Sequence, residues 1–127
     1  MGRAHALFAH RPATDLLSLL GRGRANARPA AHLAAAIGVS ERSIRGSVER
    51  LRREGHLIGS TTTNGGGFYI VQSREELEDT ARQFRSRALA MLTTKRAMER
   101  SAAERFGPEV LRLFSVDELE GASDGKH

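Results

Sequence analysis

The stretch Leu33-Ala34-Ala35-Ala36-Ile37-Gly38-Val39-Ser40-Glu41-Arg42-Ser43-Ile44-Arg45 decides how this chain is read. Its alanine run favours a helix, because alanine is the best helix former and its short side chain lets a second helix approach closely. Leu33 and Ile37 stand four apart and share one face of that helix. Gly38 suits the left-handed residue that ends a helix, where a β-carbon is disfavoured. Ser40 then caps a new helix, a contact typically worth about 1 kcal/mol. Beyond it Ile44, Val48 and Leu51 recur at i, i+4 and i+7, the spacing of one buried face. The outward face falls on Arg42, Gly46, Glu49 and Arg53, flanked by Ser43, Arg45 and Arg50. Gly55 stops this helix.

The flanks extend the pattern. Pro29 fits the first turn of the alanine-rich helix, where its missing N–H costs nothing. Thr14 fits the cap of an earlier helix, with Asp15 in its first turn and Leu16, Leu17 and Leu20 on its buried side. Gly21-Arg22-Gly23-Arg24 ends that helix and reads as a flexible basic loop. Downstream, residues 57–61 and 67–71 read as two short strands. Between them lies Thr62-Thr63-Asn64-Gly65-Gly66, with the Asn-Gly pair typical of tight hairpin turns.

From Ser73 to about Arg105 the pattern is helical without a break. Ser73 followed by Glu75-Glu76 resembles a capping box. Leu77, Phe84, Met91 and Met98 repeat every seven residues, and Ala81, Ala88, Lys95 and Ala102 interleave with them. A helix of this length spans about 50 Å at 1.5 Å per residue, more than one small domain covers. The expectation is therefore a homodimer whose seam holds Leu77, Ala81, Phe84, Ala88, Met91 and Met98, parallel or antiparallel; a monomeric, solvated helix is the alternative. Gly107-Pro108 ends the helix. A short amphipathic piece from Glu109 to Leu119 follows, then a polar tail, Gly121 to His127, expected to be disordered. The resulting plan is a flexible arm at 1–12, a compact domain at 13–72, the long helix at 73–106, and the short segment and tail at 107–127.

Composition sets the limits. With 127 residues and 39% hydrophobic content, one modest core is expected. The net charge is +5, from 20 Lys+Arg against 15 Asp+Glu. An arginine excess alongside abundant alanine and glycine points to a GC-rich genome as much as to a partner. Its distribution says more: residues 20–56 hold Arg22, Arg24, Arg28, Arg42, Arg45, Arg50, Arg52 and Arg53 against Glu41, Glu49 and Glu54. That one segment equals the whole chain's net charge, the footprint expected of a polyanion-binding face. The absence of cysteine excludes disulfides and Cys-ligated zinc. No apolar run approaches the roughly 20 residues that span a bilayer, and the N-terminus lacks the apolar core of a signal peptide. A soluble, cytoplasmic, nucleoid-associated protein without a membrane partner is expected. His5, His10, His32, His56 and His127 show no metal-ligand spacing. Gly65-Gly66-Gly67 lacks a following Gly-Lys-Ser/Thr and joins two strands, so it reads as turn geometry and not as a nucleotide loop. No nucleophile–base pair stands out, so neither an enzyme nor a cofactor is expected.

The stretch quoted first, with Leu51-Arg52-Arg53-Glu54-Gly55-His56-Leu57-Ile58 and Gly65-Gly66-Gly67-Phe68-Tyr69, resembles the winged helix-turn-helix family of bacterial and phage regulators. The likeness covers roughly residues 13–71. It implies a mainly α fold with a small β-hairpin: a winged helix-turn-helix followed by a long C-terminal helix. It further implies that the helix after Ser40 enters the major groove of double-stranded DNA near its N-terminus. On that basis Ser40, Arg42, Ser43 and Arg45 are candidate base or phosphate contacts, and Arg50 a phosphate contact. Arg28 and the hairpin residues Thr61, Thr62, Thr63 and Asn64 are candidate flanking contacts. Glu49 repels phosphate but can accept from a cytosine amino group. Gly46 supplies no side chain. The implied function is sequence-specific DNA binding by a dimeric transcriptional regulator of phage or mobile-element type. The alternatives are an accessory or architectural protein in replication, excision or partition, and a protein-interaction module built on the same scaffold.

Overall fold

The computed structural model describes residues 15–116, apart from the side chain of Asn64. The arm at 1–12, the Thr14 cap, three of the histidines (His5, His10 and His127), and the tail beyond Val116 lie outside the described residues. Helix α1 occupies residues 15–19. Strand β1, Gly21–Arg22, and a 3-10 turn at Arg24–Asn26 follow. Next come α2 (Ala30–Ile37), α3 (Glu41–Arg53), β2 (Ile58–Thr61), a 3-10 turn at Thr63–Gly65, and β3 (Gly67–Ile70). Helix α4, Arg74–Phe106, and a 3-10 segment, Pro108–Phe114, complete the order. The protein is mainly helical, with a small three-stranded sheet and a long C-terminal helix. No helix among the described residues is long and apolar enough to cross a membrane.

The turn between α2 and α3 forms as its residues dictate. Gly38 takes the left-handed conformation at φ 86°, and its N–H donates to the Ala34 carbonyl at 2.8 Å. The Ser43 N–H donates to Ser40 Oγ at 3.0 Å, capping α3. With the two helices held at this corner, their apolar faces meet. Leu16, Leu20, Leu33, Ile44, Val48, Leu51 and Ile58 are buried together with Ala30 and Ala34 of α2. Leu17, Leu19, Ile37, Val39, Phe68 and Ile70 pack around them. Each fully buried aliphatic side chain contributes about 1.5–3 kcal/mol, so this cluster holds the domain together.

The sheet order is β1-β3-β2. Strands β2 and β3 are antiparallel, with Ile58 opposite Ile70 and Thr61 opposite Gly67. The hairpin connection therefore spans residues 62–66, as the sequence pattern expects, and contains a 3-10 turn at Thr63–Gly65. Gly21-Arg22-Gly23-Arg24 is not a flexible loop. Its first two residues pair in parallel with Tyr69 and Ile70, and the Gly23 N–H donates to the Ile70 carbonyl at 2.8 Å. Arg28 then exchanges two backbone hydrogen bonds with Phe68, at 3.0 and 2.9 Å. Nothing in a Gly-Arg repeat favours a strand; the unpaired edge of β3 supplies the hydrogen bonds that make one.

Alternation along β3 sends Tyr69 to the face opposite Phe68 and Ile70. The ring is fully buried there, with its hydroxyl end against Gly59, its partner across the hairpin. A β-carbon at Gly59 would stand 2.5 Å from Tyr69 Cζ. The described residues divide into two compact units between Arg82 and Gln83, and α4 runs through the boundary. The first unit thus reaches past residue 72 into the first turns of α4. The expected stripe of α4 is uncovered: Leu77, Phe84, Met91 and Met98 are 41, 45, 71 and 55% exposed, and no residue of the helix is buried. The expected amphipathic piece after Gly107 is a 3-10 segment that ends at Phe114, started by Pro108 at its first position.

Gly59→Ala should destabilise the protein by about 1–3 kcal/mol, the usual cost of forcing atoms into a filled core. Chemical denaturation measures this. An unchanged midpoint would show that the Tyr69 ring has room to move.

Candidate nucleic-acid interface

Burial of Ile44, Val48 and Leu51 fixes which side of α3 faces out. Arg42, Ser43, Arg45, Gly46, Glu49, Arg50 and Arg53 are all exposed. Their charges are not equally available. Arg45 Nη1 stands 3.5 Å from Glu41 Oε1, and Arg53 Nη2 stands 3.6 Å from Glu49 Oε2. Both pairs span one helical turn in solvent, an arrangement worth only about 0.3–0.5 kcal/mol, so neither glutamate holds its arginine firmly. Arg42 and Arg50 form no ion pair with a described residue. The Ser40 hydroxyl is committed as acceptor to the Ser43 N–H, which leaves its own proton free to donate. No Cβ at Gly46 would meet anything within 4 Å, so the backbone there is open to close approach.

The hairpin is tied to α3 by an arginine that the sequence pattern places within the charged segment. Arg52 Nε donates to the Ile58 carbonyl at 2.8 Å, and its guanidinium lies 5.9 Å from the centre of the Phe68 ring. Arg52 therefore positions β2 beside α3 and is not a free cation. Its i+7 relation to Arg45 gives no hint of this, because the partner carbonyl lies beyond the helix end. At the hairpin loop, the Thr63 N–H donates to Thr61 Oγ1 at 3.1 Å, while Thr62 and Thr63 point to solvent. No hydrogen bond or ion pair joins Thr61, Thr62 or Thr63 to Ser40, Arg42, Ser43, Arg45, Glu49 or Arg50; helix and loop are separate patches on one scaffold. The Asn64 side chain is outside the described residues.

The edge of the sheet adds two cations. Arg22, on β1, and Arg28, bridged to Phe68, are both exposed and both carried on the outer edge of β3. The Asn26 Nδ2 donates to the Arg22 carbonyl at 2.8 Å and stiffens the turn between them. The sequence pattern places Arg22 in a loop; the strand gives it a fixed position.

Arg24 is withdrawn from the set. Its backbone N–H donates to Glu76 Oε2 at 2.9 Å, and its Nη2 lies 3.4 Å from Asp79 Oδ2. The Tyr69 hydroxyl is buried without a partner in good hydrogen-bond geometry. It faces the Arg24 guanidinium, and this contact leads the influences that hold Arg24 above its ordinary pKa, ahead of Asp79 and Glu75. Glu76 does a related task. The expected capping box is present in altered form: the Glu76 N–H donates to Ser73 Oγ at 3.1 Å, but the carboxylate reaches past Ser73 to accept from Gln72 N–H at 2.8 Å. The backbone N–H of Arg24 is the first cause, and that of Gln72 the second, of a Glu76 pKa below its usual value. One carboxylate thus fastens the start of α4 to the 23–24 turn.

Among the described residues no group of three or more His, Asp or Glu side chains gathers closely enough to hold a metal ion. Comparison with protein families, curated proteins and solved structures gave no match to this chain.

Because the folded state lowers the Glu76 pKa, the stabilisation it provides is present above the unfolded carboxylate value and is lost as pH falls through the lower, folded value. Thermal unfolding followed from neutral pH to below the usual carboxylate range should show this loss, and Glu76→Gln should remove that part of the pH dependence. An identical acid profile in the variant would place the acid sensitivity elsewhere.

Proposed function

We propose that residues 15–71 act as a winged helix-turn-helix that binds double-stranded DNA in a sequence-specific manner, and that the protein is a transcriptional regulator working as a dimer through α4. The observation that carries this reading is the division of α3: one face locked into the core by Ile44, Val48 and Leu51, the other presenting Arg42, Arg45 and Arg50 to solvent. A helix held in this way offers a rigid edge of guanidinium forks, which match guanine O6 and N7 and phosphate oxygens. The exposed serines at its start add short donors. Arg22 and Arg28 flank it as phosphate contacts, and Thr62 and Thr63 present hydroxyls from the hairpin.

The dimer follows from two features together. The reading edge is short, so one copy reads few bases. The apolar stripe of α4 is exposed over Leu77, Phe84, Met91 and Met98. Pairing two copies through it buries that stripe and sets two reading helices against half-sites about one helical turn, or a multiple, apart.

Selection from a random duplex pool should return a two-fold symmetric sequence. Arg42→Ala combined with Arg45→Ala should weaken binding to that sequence by about 1–3 kcal/mol for each base pair the arginines read, and relax preference at those positions. An enriched sequence bound equally well by this variant would mean that another surface does the reading. Separately, Phe84→Asp with Met91→Asp should give a monomer by light scattering, and a dimer that survives both changes would remove the stripe from the interface.

A further inference from the structure

Helix α4 carries an unusual stretch of charge. From Thr80 to Met98 it contains Arg82, Arg85, Arg87, Lys95 and Arg96 and no aspartate or glutamate. Three of these cations are engaged locally. Arg82 Nη1 lies 3.2 Å from Asp79, Lys95 Nζ lies 2.7 Å from Glu99, and the Arg87 guanidinium stacks 4.5 Å from the centre of the Phe84 ring. Arg85 and Arg96 form no ion pair with a described residue, and neither does Arg100, one turn further on. All three are exposed.

Their spacing places them on one line. Arg85 and Arg96 are separated by close to three full helical turns, so they project from the same side about 16 Å apart, and Arg100 continues the line about 6 Å beyond. That side lies about a quarter turn or more from the Leu77, Phe84, Met91 and Met98 stripe, so a second copy seated on the stripe leaves Arg96 and Arg100 open, with Arg85 at the margin of the seam. Arg96 and Arg100 also line an open groove of about 330 Å³ with Glu99, Ala103 and Leu111. Glu99 is the one acid in it, and Lys95 already neutralises its carboxylate. The groove therefore presents two uncompensated guanidinium groups over an apolar floor.

We infer that Arg85, Arg96 and Arg100 form a second contact for the phosphodiester backbone of duplex DNA, separate from the reading edge of α3. The inference rests on the DNA-binding reading above and adds to it where affinity arises. Three unpaired guanidinium groups on one line of a helix repel one another and attract a polyanion. Guanidinium forks hold phosphate oxygens in pairs, and Ala103 and Leu111 suit the sugar carbons that flank each phosphate. Such contacts fix position and add affinity without reading sequence, and they release condensed counterions on binding.

The test uses the full chain with Arg85→Ala, Arg96→Ala and Arg100→Ala together, and a matched variant with lysine at the same three positions. Binding to the selected duplex and to a shuffled duplex is measured from about 50 to 200 mM salt, the range over which phosphate contacts dominate affinity. The expected result is a log–log salt slope shallower by about one for each phosphate no longer neutralised, so about three in the alanine variant. Both duplexes should weaken by the same factor, and lysine should restore the slope because charge is what counts. An unchanged slope in a folded alanine variant overturns the inference, as does failure of lysine to restore it. So does loss of preference between the two duplexes, which would make these arginines base readers. Wild-type protein that binds no duplex at low salt overturns the DNA-binding reading itself; wild type that binds while the slope stays fixed overturns this second contact alone. Capture of an acidic peptide by the wild type but not the alanine variant, with the DNA slope unchanged, would assign the line to a protein partner and also overturn it.

Discussion

Ile44, Val48 and Leu51 anchor the remainder of this molecule. Once they sink against Leu16, Leu20, Leu33 and Ile58, α3 has no rotational freedom left about its own axis. A helix residue advances about 100° per step, so fixing three buried positions fixes every exposed one. The arginines of α3 therefore face solvent as a consequence of packing, not of any interaction of their own. Gly55, at φ 101°, ends α3 just beyond them, where Arg52 reaches the Ile58 carbonyl and holds the hairpin alongside.

Formal charge along the sequence overstates the basic face and blurs its shape. Eight arginines fall between residues 20 and 56, yet their tasks differ. Arg24 is fastened to Asp79 and the Tyr69 face of the sheet, and Arg52 to the hairpin. Arg45 and Arg53 hold weak, solvent-exposed partnerships on the helix surface. Arg22, Arg28, Arg42 and Arg50 remain without an ion pair to a described residue. The physical reason is that a guanidinium is both a charge and five hydrogen-bond donors. Where a carbonyl is left over at a helix end or strand edge, the donors are used for structure. Charge summed along a chain does not register that use.

Both proposed roles of helix α4 fall on one continuous helix. Its period-seven apolar line and the Arg96–Arg100 end of its arginine line lie on different sides, so the proposed pairing and the proposed polyanion contact do not compete for surface there. The acid-free stretch between Thr80 and Met98 would repel its own image in a paired helix unless anions lay nearby. The start of the helix answers to a different constraint: Glu76 accepts from Arg24 and Gln72, so α4 begins as part of the first compact unit before it runs on into the second.

The sequence by itself determined α2, its Gly38 stop, the Ser40 cap, the buried line of α3 and the extent of α4. These follow from local geometry: helix periodicity, capping and the left-handed preference of glycine act within a few residues. The exposed set on α3 was legible for the same reason, as the complement of the buried set. Only the tertiary structure decided that Gly21-Arg22 is a strand, that Gly59 makes room for Tyr69, and that Arg24 and Arg52 are structural. Each of these depends on a partner distant in sequence, such as the free edge of β3, the Ile58 carbonyl or the first turn of α4. Hydrogen bonds and close contacts of that kind leave no periodic trace in the chain that makes them.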